Sequence, residues 1–95
     1  MIKYSIDYTK AADKFLLKHE DVRDKFEEDI KELIIGDNSD RVNVKKIQGK
    51  RGDYYRIAIA GYRVVYTVIN GKIIVVNVVL AGARGDVYKK MKGLK

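Results

Sequence analysis

Residues 61–81 read GYRVVYTVINGKIIVVNVVLA. Two runs rich in β-branched and aromatic residues, 61–69 and 72–81, flank Asn70-Gly71, a composition that favours strands over helices. Asn-Gly is the strongest short-range hairpin signal, because a type I′ turn needs positive φ at both central residues. A two-residue turn there pairs Ile69 with Lys72 and Arg63 with Val78. Just upstream, residues 54–60 (YYRIAIA) supply another strand. A tight turn at Ala60-Gly61 pairs Ala58 with Arg63 and Arg56 with Val65.

One face of this unit then collects Ile57, Ile59, Tyr62, Val64, Tyr66, Val68, Ile73, Val75 and Val79, and needs a cover. The other collects Arg56, Ala58, Arg63, Val65, Thr67, Val76 and Val78. An unpaired buried guanidinium is costly, so Arg63 argues that this second face is open. A structural ion pair with Asp86 or Asp53 is the competing account of Arg63. Asn77 falls on the covered face in this register, and only a bulge in the pairing would explain it.

The cover comes from the first third of the chain. Ile2, Tyr4 and Ile6 alternate with Lys3 and Ser5, the period of a half-buried strand. The period then changes: Tyr8, Ala11, Ala12, Phe15 and Leu16 form one helical stripe, with Asp7 or Thr9 as N-cap. A second stripe, Val22, Phe26, Ile30, Leu33 and Ile34, starts at a possible cap, Asp21, and stops at Gly36, where a C-terminal glycine belongs. His19 sits at the end of the first helix, where it interacts with the helix dipole. The segment GDNSDR is a loop by composition. The expected fold is α+β: one domain over residues 1–95, a two-helix hairpin packed on a mainly antiparallel sheet of about four strands. Its order is β-α-α-β-β-β, followed by a C-terminal tail or short helix that returns Arg84 and Tyr88 to the strand end holding Arg56 and Arg63.

Composition narrows the function. The chain has 95 residues, no cysteine and a net charge of +7, so a disulfide framework and thiolate metal sites are excluded. Residues 1–40 hold seven basic against eleven acidic residues, whereas residues 41–95 hold thirteen against two, Asp53 and Asp86. That segregation points the basic half toward a polyanion, nucleic acid first, or toward an acidic protein partner. Neither a phosphate-binding glycine loop nor a cluster of metal-ligating residues occurs, so no cofactor and no metal are expected. The longest apolar run is far shorter than the ~20 residues of a spanning helix, and the N-terminus lacks the apolar core of a secretory signal. A cytoplasmic protein without membrane contact is the expectation.

The element order, together with residues 44–90 (VKKIQGKRGDYYRIAIAGYRVVYTVINGKIIVVNVVLAGARGDVYKK), resembles the RelE/ParE superfamily of toxins from toxin-antitoxin systems. Its marks here are the paired Tyr55-Arg56-Ile57 and Tyr62-Arg63-Val64-Val65-Tyr66, and the ending Gly82-Ala83-Arg84-Gly85-Asp86-Val87-Tyr88. The RelE-like branch is favoured, and it implies ribosome-dependent cleavage of mRNA in the A site by attack of the RNA's own 2′-hydroxyl. The resemblance assigns Arg63 to the scissile phosphate, Arg84 to the leaving oxygen, Tyr88 to stacking on or orienting the nucleotide, and Arg56 to a position where the family often has lysine. Lys45, Lys46, Lys50, Arg51, Lys89 and Lys90 are the expected contacts to the RNA backbone. The implied partners are mRNA on the ribosome and a cognate RelB-like antitoxin. Ala58 and Ala83 stand where nuclease members often carry lysine or histidine, so the usual general base is missing. A ParE-like gyrase inhibitor, or an inactive member that only binds RNA or its partner, is the alternative.

Overall fold

β1 (Tyr4–Tyr8) leads into α1 (Lys10–Leu17) and α2 (Glu20–Ile34). A 3-10 turn at Ser39–Arg41 then precedes β2 (Val44–Gly49), β3 (Gly52–Ile59), β4 (Tyr62–Asn70), β5 (Ile74–Ala83) and α3 (Arg84–Met91). This computed structural model describes residues 3–36, 39–49 and 52–91; Ile2, Lys50 and Arg51 lie outside the described residues.

The sheet has five strands rather than four, in the order β1-β5-β4-β3-β2, with β1 parallel to β5 and the other pairs antiparallel. The additional strand is β2, which pairs with β3. Its sequence, VKKIQG, has only two apolar residues, Val44 and Ile47, and they point to opposite faces. Such a strand exists because β3 offers it a ladder, and its lysines are what a protected edge carries.

The β3–β4 register agrees with the expectation, Ala58 opposite Arg63 and Arg56 opposite Val65. Ala60 takes φ of 54° in that turn, a left-handed conformation that glycine adopts more cheaply. The β4–β5 register differs. Asn70 pairs with Ile74, so Gly71, Lys72 and Ile73 form the loop, and a bulge at Val65/Tyr66 adds a second offset. Arg63 consequently faces Gly82, not Val78. Asn77 supplies the physical reason. The two-residue turn would drive its amide into the core beside Val75 and Val79. The observed register instead buries Val76 and Val78 and sets Asn77 between Asp7 and Thr67 on the other face. Burying an amide without a partner costs ~1–3 kcal/mol, while exchanging one pair of valines for another costs almost nothing.

Thr9 caps α1, its Oγ1 accepting from the Ala12 N–H at 3.4 Å. α2 begins one residue before the expected cap: His19 occupies the N-cap position and Asp21 sits in the first turn, where a carboxylate still complements the helix dipole. The Gly36 N–H donates to the Glu32 carbonyl at 3.0 Å and closes the helix. The buried stripe of Ala12, Leu16, Val22, Phe26 and Ile30 meets Ile57, Val64, Tyr66, Val76 and Val78 of the sheet. Phe26 packs edge-on against Tyr66, with ring centroids 5.8 Å apart. Burial pushes the Tyr66 hydroxyl up to about 12. Tyr8 donates to Glu27 Oε2 at 2.6 Å, and Arg23 Nε reaches the same oxygen at 3.4 Å, tying β1 to α2.

The second sheet face is only partly open. α3 lies across it, burying Val87 and Met91 against Val65, with Ile47, Tyr54, Val79 and Leu80 around them. His19 does more than end α1: its ring stacks on Phe15 at 4.2 Å and meets Tyr62 at 5.0 Å, joining the helix hairpin to β4. No helix among the described residues is long and apolar enough to cross a membrane.

Candidate functional site

Strand alternation decides which basic side chains share a face. Lys45 pairs with Arg56 across β2 and β3, Arg56 pairs with Val65, and Arg63 lies two residues from Val65 on the same face of β4. Arg56 and Arg63 are therefore diagonal neighbours, roughly 7 Å apart at the backbone by ordinary sheet geometry. Arg84 begins α3 immediately after β5, and its backbone N–H donates to the Gly61 carbonyl at 3.2 Å, which ties the helix start to the β3–β4 turn. Tyr88 follows one helical turn later on the same side of α3.

Two carbonyls hold the Arg63 guanidinium in place: its Nη1 donates to Tyr62 O at 2.8 Å and to Ala60 O at 3.3 Å. Arg63 Nε and Arg56 Nη1 are buried and have no hydrogen-bond partner among the described residues. Buried donors are normally satisfied, so these two leave hydrogen-bonding capacity unmet within the arginine cluster. Neither of the acidic residues considered as a partner reaches Arg63. Asp53 pairs with Lys46 at 3.2 Å, and Asp86 is exposed on α3 beside a separate cleft.

Tyr88 titrates low for a tyrosine. Partial desolvation pushes its hydroxyl up, but Arg56, Arg63 within hydrogen-bonding reach, and Arg84 together outweigh that and lower it. Three guanidinium groups thus converge on one phenol. Gly82, opposite Arg63, lies under α3 beside Val87.

The structure brings Arg56, Arg63, Arg84 and Tyr88 together and adds Lys45 through the unforeseen β2. Lys46 is turned to the helix-covered face, with Asp53. Lys89 and Lys90 are exposed on α3, Lys90 beside the cleft between α1 and α3. Lys45, an expected contact to the RNA backbone, stands opposite Arg56, a position for which strand alternation is the one signal in the sequence. No group of three His, Cys, Asp or Glu suited to a metal occurs among the described residues. The assembly can bind a phosphate through forked donors, stabilise added charge on it and exchange a proton at Tyr88.

Residues 3–84 match the family model described as the ParE toxin of the type II toxin-antitoxin system parDE. No curated protein sequence matches the chain. Among solved structures, the chain is similar to one from the RelB-RelE antitoxin-toxin complex of Methanococcus jannaschii. The two share 25% identity and a TM-score of 0.58, over 88% of this chain and 96% of that one.

Proposed function

The chain belongs to the ParE toxin family of the RelE/ParE superfamily and is a toxin of a toxin-antitoxin system; from that premise we propose that it is a ribosome-dependent mRNA endonuclease. The observation that carries this reading is the convergence of Arg56, Arg63 and Arg84 on Tyr88, with two guanidinium donors unpaired in the same cluster. In this reaction the RNA 2′-oxygen attacks the adjacent phosphorus, a cyclic phosphate forms as the P–O5′ bond breaks, and the 5′-oxygen takes a proton from water. Arg63 and Arg56 hold the non-bridging oxygens as negative charge builds on them. Arg84, at the start of α3, supports the charge on the leaving oxygen. Tyr88, with its hydroxyl lowered by the same arginines, takes the proton from the 2′-hydroxyl. The hydroxyl must be ionised to accept that proton, so cleavage rises with pH. The ribosome supplies alignment, a contribution worth up to ~7 to 11 kcal/mol.

A cognate antitoxin completes this reading, in keeping with the antitoxin-bound state of the similar solved structure. Action on translating ribosomes makes the protein cytoplasmic. The match to the ParE family model favours a second reading, inhibition of gyrase through protein contacts. The experiment that separates them is primer extension on an mRNA in a translating extract, with gyrase supercoiling run in parallel. New cuts within codons are expected from the wild type, falling about 10²- to 10³-fold in Arg63→Ala and in Arg84→Ala. Supercoiling inhibition without cuts would overturn the nuclease assignment.

A further inference from the structure

Two of the clustered arginines are tied to a single turn. β3 and β4 are joined at Ala60-Gly61, with Ile59 opposite Tyr62. Arg63 sends its side chain back over this turn, where Nη1 donates to Ala60 O at 3.3 Å and to Tyr62 O at 2.8 Å. The carbonyl between those two, Gly61 O, accepts the backbone N–H of Arg84 at 3.2 Å. Three successive carbonyls, of residues 60, 61 and 62, are thus each committed to one of two arginines that lie far apart in the sequence.

The backbone that presents these carbonyls runs against local preference. Two-residue hairpin turns place positive φ at the first central position, where glycine is the usual occupant. Here that φ, 54°, falls on Ala60, whereas Gly61 takes no positive φ, and a Cβ added at Gly61 would meet nothing within 4 Å. The Ala60 side chain is exposed, so core packing does not hold it there. Strain of this kind persists where surrounding contacts over-determine it, and it gathers at functional sites. The contacts at this turn are the bonds to Arg63 and Arg84. We infer that Ala60 is a positioning residue: its conformation aims the Ala60 and Tyr62 carbonyls at Arg63 Nη1 and so sets the direction in which the guanidinium presents its other edge.

Guanidinium chemistry makes such an anchor effective. The group is planar and its donors form a rigid fork, so holding Nη1 also orients Nε and Nη2. A long side chain without an anchor samples many rotamers and loses that freedom only on meeting its substrate. An anchored one has lost it beforehand, and the edge of Arg63 that carries the buried, unpaired Nε is the one left for the scissile phosphate. The Gly61–Arg84 bond holds the turn from the α3 side and keeps it from relaxing. The inference deepens the nuclease reading and rests on it for the effect on cleavage, whereas the anchoring of Arg63 does not depend on it.

The test combines nitrogen NMR of the arginine side chains on the full chain with single-turnover cleavage in the translating extract, for the wild type, Ala60→Gly and Ala60→Val. Glycine accepts the positive φ, and β-branched valine resists it. In the wild type and in Ala60→Gly, Arg63 is expected to give separate Nη1 and Nη2 signals, because the carbonyls slow rotation about Nε–Cζ. In Ala60→Val those signals should merge, and the Tyr88 hydroxyl, lowered in part by Arg63, should titrate higher. Cleavage by Ala60→Val should fall about tenfold at saturating ribosome complexes with half-saturation unchanged, while Ala60→Gly cuts within about twofold of the wild type. In an Arg63→Ala background the valine substitution should lower cleavage by less than about twofold, since its effect runs through Arg63. If Ala60→Val does not fold, Ala60→Leu takes its place with the same expectations. Merged Arg63 signals in the wild type would overturn the inference whatever the variants do. Equal losses in the two backgrounds, or separate Arg63 signals in the valine variant, would overturn it as well. A wild type that makes no cuts, while Ala60→Val still merges the Arg63 signals, would count against the nuclease reading alone.

Discussion

Val87→Ala tests whether the arginine cluster depends on the docking of α3. Val87 is 1% exposed and packs with Met91 against Val65. Removing two methyl groups forfeits about 1.6 kcal/mol of transfer free energy at ~0.8 kcal/mol each. The void left under a short surface helix collapses in part, so the total is about 2 kcal/mol. Val87 and Met91 are the two buried side chains of α3, and the loss therefore falls on the docking of that helix more than on the whole domain. Two kcal/mol corresponds to roughly thirtyfold in an opening equilibrium. Native-state hydrogen exchange should show α3 amides exchanging faster by about that factor, with smaller changes in α2 and the centre of β4. Tyr88 rides on the same helix. Its titration should move back up toward the ordinary tyrosine value as it separates from Arg56 and Arg63. If α3 exchange and the Tyr88 midpoint both stay at wild-type values in a folded variant, the Val87–Val65 contact does not hold the site together, and the reasoning fails.

Four further outcomes follow from the structure. Tyr88→Phe should lower cleavage by about 10²-fold and abolish its rise with pH above neutrality, read from single-turnover rates; an unchanged pH profile would remove Tyr88 from proton transfer. Phe26→Ala, at a fully buried position against Tyr66, should cost about 3–5 kcal/mol in denaturant titration, and a loss below ~1 kcal/mol would contradict the core assignment. The Tyr66 hydroxyl is raised above its unfolded value of 10.0 to about 12. Its contribution is therefore fully present below pH 10 and is lost as pH climbs through about 12, roughly 3 kcal/mol in all, and Tyr66→Phe should flatten that alkaline decline. Lys45→Ala should weaken RNA binding and reduce its salt dependence, whereas Lys46→Ala, on the opposite face with Asp53, should leave RNA binding unchanged; equal losses would mean that the β2 register is wrong.

Much of this architecture was legible in one dimension because it follows from periodicity and turn chemistry, which act over a few residues. The stripes of α1 and α2, Thr9 at the first cap, Gly36 at the second helix end and the Ala58–Arg63 register all have local causes. So does the return of Arg84 and Tyr88 toward Arg63, since a strand that pairs antiparallel with β4 must end near the start of β4. The remaining features depend on contacts between distant segments. β2 lacks a strong pattern of its own and exists by pairing with β3. The choice between Val75 and Val76 as core residues was undecidable from a run of near-identical valines, and Asn77 settled it only once a core existed to exclude its amide. The lowered Tyr88 hydroxyl is likewise a tertiary property, because it requires three arginines from β3, β4 and α3 to share one small volume. By itself, the sequence determined which residues are helical, which are extended and which charges are available. The tertiary structure decided on which face each charge stands, because side chains alternate along a strand and a shift of one residue exchanges the two faces.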